Sequence, residues 1–152
     1  EPGPGGGEGF IRTVTGSDPA AGAEISEAVP TNAVWRFLSF SAVLVTDANA
    51  ANRRLRLVID DGTTANRRWV TDSGIDQTAS LTRTWLFVNG RNSPQATPLS
   101  LTDTDSLFVL QSNPEDIGFL PEGYRIRSLT SGILAGDDFA APIFQVEEWL
   151  VL

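Results

Sequence analysis

Val34-Trp-Arg-Phe-Leu-Ser-Phe-Ser-Ala-Val-Leu-Val-Thr46 decides the fold. The run is rich in β-branched and aromatic residues, which suit a pleated, packed surface better than a helix. It is apolar at odd and even positions alike, as a strand buried on both sides would be. Working outward, Phe10 to Thr15 and Ala23 to Val29 read as shorter strands before it, the second stopped by Pro30. After it, Arg53 to Asp60 alternates cleanly: Leu55, Leu57 and Ile59 share one face, and Arg54, Arg56 and Asp60 the other. Asp60-Asp61-Gly62 is a turn signal, and Arg67 to Thr71 is the returning strand.

Farther along, Leu81, Trp85 and Phe87 fall on one face of the next strand, which ends at Asn89-Gly90. Pro94 and Pro98 follow, so the spacing predicts a long loop there rather than a tight hairpin. Ser106 to Gln111, Gly123 to Thr130 and Ile143 to Leu150 complete the set. Ile25 to Val29 and Glu147 to Leu152 could each form a turn of helix, but neither has the length of a stable one. The expected fold class is all-β: a single β-sandwich, jelly-roll-like, of about eight or nine strands. Residues 1–10, with their Gly- and Pro-rich composition, read as a flexible N-terminal arm, and 11–152 as the sandwich domain.

The chain has 152 residues and contains no His, Cys, Lys or Met. Without His there is no ordinary general base near neutral pH, and without Cys no thiolate nucleophile, disulfide or usual structural zinc site. Serine and threonine nucleophiles need a base that is missing here. The expectation is a protein that is not an enzyme, uses no cofactor and has no catalytic residues. A net charge of −8 argues against a general nucleic-acid partner. No run of about 18 apolar residues predicts a membrane partner. Glu1 to Gly9 lacks the basic start and apolar middle of a secretory signal, and the large Glu1 suggests that it is not the translated start.

Arg53, Arg54, Arg56, Arg67 and Arg68 cluster against Asp60 and Asp61, a local balance of +3 in a chain of −8. On paired strands these side chains would form a cationic patch able to dock on an acidic neighbour, another copy of this chain included. The competing reading is a solvated face, or charges that guard a sheet edge. Trp69, between Arg68 and Val70, is the candidate interface aromatic, whereas Trp35 and Trp85 sit in apolar strands and read as core. Pro2, Pro4 and Phe10 join the candidate interface through the arm. Acidic pairs recur at Asp60-Asp61, Asp103-Thr-Asp105, Asp137-Asp138 and Glu147-Glu148. Asp103 and Asp105 are weak calcium candidates, because their loop lacks the glycine and distal glutamate of a calcium loop. Turn residues bonding to nearby backbone are the simpler reading of such pairs.

Val29-Pro-Thr-Asn-Ala-Val-Trp-Arg-Phe-Leu-Ser-Phe, Val43-Leu-Val-Thr, Asn52-Arg-Arg-Leu-Arg-Leu-Val-Ile-Asp-Asp-Gly and Ile143-Phe-Gln-Val-Glu-Glu-Trp-Leu together resemble small β-sandwich virion proteins of tailed bacteriophages, of the decoration or cement type. The resemblance spans roughly residues 22–150 and rests on no short diagnostic motif. It implies a structural virion protein on the capsid exterior, bound to the major capsid protein and to itself, often as a trimer. A neck, tail or fibre component would look similar. A carbohydrate-binding sandwich that attaches particles to glycans is the alternative, with Trp69 as its platform.

Overall fold

The computed structural model describes residues 9–89, 97–100, 105–111 and 118–151, and of 97–100 and 105–111 the backbone alone. The described residues hold twelve strands and no helix: β1 (Phe10–Thr15), β2 (Ser26–Ala28), β3 (Ala33–Val45), β4 (Arg54–Asp60), β5 (Arg67–Asp72), β6 (Thr82–Val88), β7 (Thr97–Ser100), β8 (Asp105–Gln111), β9 (Phe119–Leu120), β10 (Arg125–Ser131), β11 (Asp138–Phe139) and β12 (Ile143–Leu150). Nine of them answer to the strands expected from sequence. The three extra ones are β7, β9 and β11, each two to four residues long. The segments Ile25 to Val29 and Glu147 to Leu150 contribute to β2 and β12 and not to helices.

The strands form two sheets, one of eight strands with the path β1-β12-β3-β6-β8-β7, and one of four in the order β2-β10-β4-β5. β9 and β11 pair with β3 off the main path of the larger sheet. The fold is the expected β-sandwich. Strands early in the chain pair with strands late in it in both sheets, β1 and β3 with β12, and β2 and β4 with β10. This wound pairing is what makes the sandwich jelly-roll-like. One feature lies outside it: β6 and β8 run parallel. Pro98 sits in β7, at the far edge of the larger sheet, the place in a sheet where proline is tolerated. The predicted long loop after Asn89 therefore contains a strand.

β3 explains why the opening stretch reads as apolar on both faces. Its inward residues are Ala33, Trp35 and Phe37, then Phe40, Ala42 and Leu44, so the alternation slips between Phe37 and Phe40. The slip coincides with a register shift opposite Gln145/Val146 of β12, a bulge that places Leu38 and Ser39 together on the outside. The outward Val34, Leu38 and Val43 are only half-buried. The strand is thus covered on one face, not two. Inside, a row of rings crosses the larger sheet. Phe40 is paired in register with Phe144 on one side and Phe87 on the other, with ring centroids 5.2 and 5.7 Å away. Leu55, Leu57, Ile59 and Ile126 of the smaller sheet face this row and close the core.

Candidate assembly surfaces

Arg53 has the same parity as Leu55, Leu57 and Ile59, so it points into the molecule rather than onto the arginine face. It is fully buried. Its Nε donates to Asp137 Oδ2 at 2.9 Å and its Nη2 to Asp137 Oδ1 at 2.9 Å and Asp47 Oδ1 at 2.8 Å. Nη1 donates to the carbonyls of Asn49 and Ala51. Asp137, itself fully buried, also accepts from the Leu134 and Asp47 amides. Every donor group of Arg53 is engaged: three bonds brace the 46–53 loop from within and two tie it to Asp137 of the 133–137 turn. The expected interface role of Arg53 is corrected accordingly: no part of this side chain reaches solvent.

The other clustered arginines lie on or beside the smaller sheet's outer face and are largely neutralised there. Arg54 pairs with Asp76 at 2.8 Å, Arg56 with Asp72 at 3.0 Å and Arg68 with Asp61 at 3.3 Å. Arg67 is exposed and has no ion pair among the described residues. Register brings in two arginines that the sequence cluster did not include. Arg125 stands opposite Asp60 and Arg127 opposite Val58, one step along the same face. Both grip the fully buried Asp60, Arg125 Nη2 at 2.8 Å and Arg127 Nε at 2.7 Å. Five arginines thus meet four aspartates, and with Arg67 beside them the face keeps a small positive balance. Sequence distance hid Arg125 and Arg127; parity with Asp60 across a β4·β10 pairing would have revealed them.

Trp69 pairs with Ile59 in register, is half-buried and packs against the core. Trp35 and Trp85 are in the core, and Trp149 is buried beneath Gly9 and the edge-on ring of Phe119, 5.1 Å away. Pro2, Pro4 and Asp103 lie outside the described residues, as does nearly all of the expected arm. Of Asp105 only the backbone, at the start of β8, is described. Among the described residues no group of three or more acidic side chains is placed to hold a metal ion.

The acidic pairs share a pattern. Asp60, Asp137 and Glu148 are each the buried member of a neighbouring pair and each binds arginine, while Asp61, Asp138 and Glu147 stay nearer solvent. Glu148 accepts from Trp35 Nε1 at 2.7 Å and from Arg12 Nη1 at 3.0 Å. Turn bonding is present as well: Asp60 accepts from Gly62 N, Asp61 from Thr63 N and Asp72 from Gly74 N. Burial alone would push the Asp60 carboxyl up, but the bonds from Arg125, Arg127 and Gly62 outweigh it and hold it below its ordinary value of 3.8. Asp137 follows the same logic, with burial opposed by Arg53 and the Leu134 and Asp47 amides, and also ends low.

Because these carboxyls are depressed in the folded state, the unfolded chain takes up protons first as pH falls. Stability is then full above about pH 5 and lost as pH drops through 3.8 toward the lower folded values. With no histidine, no side chain has an ordinary value between pH 5 and 8. Urea midpoints are therefore expected to be equal at pH 8 and pH 6 and to fall steeply below pH 4. A step between pH 5 and 8 would contradict the assignment.

A second surface was not anticipated. Phe10, Ile11, Phe119, Leu150 and Val151 are all exposed, Ile11 by 65% and Leu150 by 60%. The pairing places four of them around the start of β3, on both faces of the larger sheet's corner: Phe10, opposite Glu148, and Leu150, opposite Ala33, share the parity of the inward Trp35, while Ile11, opposite Glu147, and Phe119, opposite Arg36, lie on the outer face. A groove of about 230 Å³ adjoins them, lined by Asn32, Ala33, Val34, Pro121, Glu122 and Val151. Gly9 enters the same corner so tightly that a Cβ there would come within 2.6 Å of Trp149. Of the expected interface residues with described side chains, Phe10 alone belongs to this corner.

No family model matches the sequence, and no curated protein matches it. Solved structures do match. One is a chain of the T13 particle of infectious bursal disease virus, described with reference to icosahedral viruses; it is 10% identical and covers 95% of this chain and 36% of that one, with a TM-score of 0.40. Another is from the Gx strain of the same virus, 9% identical, covering 94% of this chain and 37% of that one at a TM-score of 0.39. The chain spans little more than a third of these viral chains, and overlap this loose carries no function across.

Proposed function

We propose that this chain is a structural subunit of a virus particle, a decoration or cement protein on the capsid exterior of a tailed bacteriophage that binds the major capsid protein. The observation that carries the reading is the apolar corner. Large apolar side chains exposed on both faces of one sheet corner, Phe10 and Leu150 on one and Ile11 and Phe119 on the other, with a groove beside them, are what a protein that works by contact presents. The resemblance of residues 22–150 to small phage virion proteins supplies the kind of neighbour. In this reading Phe10, with Pro2 and Pro4 before it, belongs to the contact, the arginine face helps set orientation, and the chain carries out no catalytic step and uses no cofactor. Many weak, repeated contacts would give the shell its stability through avidity. The glycan-binding alternative rests on the half-buried Trp69 alone, since Trp35, Trp85 and Trp149 are buried.

The test is binding of the full chain to particles that lack it. Phe10→Ser and Leu150→Ser alter exposed side chains on one face of the corner and should leave the sandwich folded. Each is expected to weaken binding about tenfold or more, as loss of a central apolar anchor does. If both variants bind as the parent does, the corner is not the contact.

A further inference from the structure

Among the described residues the two sheet paths end on four strands, β1 and β7 in the larger sheet and β2 and β5 in the smaller, while β9 and β11, each paired with β3 alone, are only two residues long. An open edge presents unpaired N–H and C=O groups, and proteins blunt it with shortness, proline, charge or a bulge. Three of the four edges are blunted in this way. β2 is three residues long and is followed by Pro30. β5 carries Arg67, Arg68 and Asp72 beside a register shift at Ile59/Asp60. β7 is four residues long and contains Pro98. β1 has none of these devices. It is six residues, Phe-Ile-Arg-Thr-Val-Thr, in unbroken register with β12. Its one charge, Arg12, is turned back onto Glu148.

The ladder identifies which backbone groups are free. Gly16 N donates to Pro142 O at 2.8 Å, one step beyond the Thr15 and Ile143 pair. Antiparallel ladders alternate, so Val14, Arg12 and Phe10 direct their backbone groups toward β12, while Ile11, Thr13 and Thr15 direct theirs outward. We propose that this edge pairs with the β1 edge of a second copy, antiparallel about a two-fold axis at Thr13.

The axis follows from the strand's own sequence. Opposed side chains must share a face, so the axis must fall on a residue. On Arg12 it would set two guanidiniums side by side and use only Ile11 and Thr13. On Val14 it would leave Ile11 unused. On Ile11 it would leave Thr15 unused and run past the strand end at Gly9. On Thr13 it sets Thr13 against itself, Ile11 against Thr15 of the second copy and Arg12 against Val14 of the second copy. All three outward residues of each copy are then engaged, and the mostly β-branched cross-strand pairs suit the pleat. The exposed Ile11 gains a neighbour in Thr15, whose other cross-strand neighbour is the exposed Ile143. Two eight-stranded sheets become one continuous sheet. This pair is two-fold, unlike the trimer that the phage resemblance implies, and it stands whether or not the chain belongs to a particle.

Sedimentation of the full chain over a range of concentrations tests it. The parent is expected to associate to twice its 16.3 kDa mass. Thr13→Pro removes the outward N–H and the exposed hydroxyl's bonds to the Gln145 side chain, but no backbone bond to β12, so the β1·β12 ladder is kept; it should weaken association at least about tenfold, or about 1.4 kcal/mol. Thr13→Lys sets two ammonium groups across the axis and should do the same if the proline variant does not fold. A parent that stays monomeric or forms trimers overturns the proposal. So do two folded variants that associate as tightly as the parent.

Discussion

Arg53→Ala is expected to cost about 3–5 kcal/mol of folding stability, because it leaves a buried carboxylate without its partner. Asp137 is fully buried, and its oxygens are held by Arg53 and two backbone amides, so losing the guanidinium exposes it to no water in exchange. The Asn49 and Ala51 carbonyls lose their donor at the same time. On a domain with marginal stability of about 5–15 kcal/mol, this is a large share. The melting midpoint should fall by roughly 10 °C. Arg56→Ala is the internal control. That arginine pairs with Asp72 at the surface, where ion pairs contribute at most about 1 kcal/mol, so its midpoint should hardly move. Equal losses for Arg53 and Arg56 in urea titrations would show that the buried cluster does not hold the two loops together.

The second large effect should come from Phe40. Its ring contacts Phe87 and Phe144 at the centre of the row that crosses the larger sheet, and none of it is exposed. Phe40→Ala removes the ring's burial and leaves a cavity that flanking strands, fixed by their ladders, can close only in part. The expected loss is about 3–5 kcal/mol by denaturant unfolding, with Phe40→Leu well below that. A loss under about 1 kcal/mol for the alanine variant would mean that the two sheets do not meet on this row.

Strand positions were readable because alternation and turn residues act locally. Ile143 to Leu150 was placed to the residue, and the β4–β5 hairpin followed from Asp60-Asp61-Gly62. The shortest strands were not, since two residues such as Phe119 and Leu120 cannot show a period. The bulge in β3 misled for a related reason: one extra residue shifts the phase, so a half-covered strand reads as apolar on both sides. For the site, the cluster of arginines was visible but its members were not equivalent. Parity alone separates the inward Arg53 from Arg54 and Arg56. Arg125 and Arg127 join the face only through pairing across more than sixty residues of sequence. The apolar corner was least legible of all. Its residues come from β1, β9 and the end of β12, and exposure of an apolar side chain is decided by what fails to cover it.

The central claim is that the chain is a building part of a particle, and imaging purified particles from its source by electron cryomicroscopy tests it most directly. Density for a two-sheet sandwich is expected at regular positions on the outside of the shell, with the corner of Phe10 and Leu150 against a capsid subunit. Particles that contain no copy of this chain would contradict it.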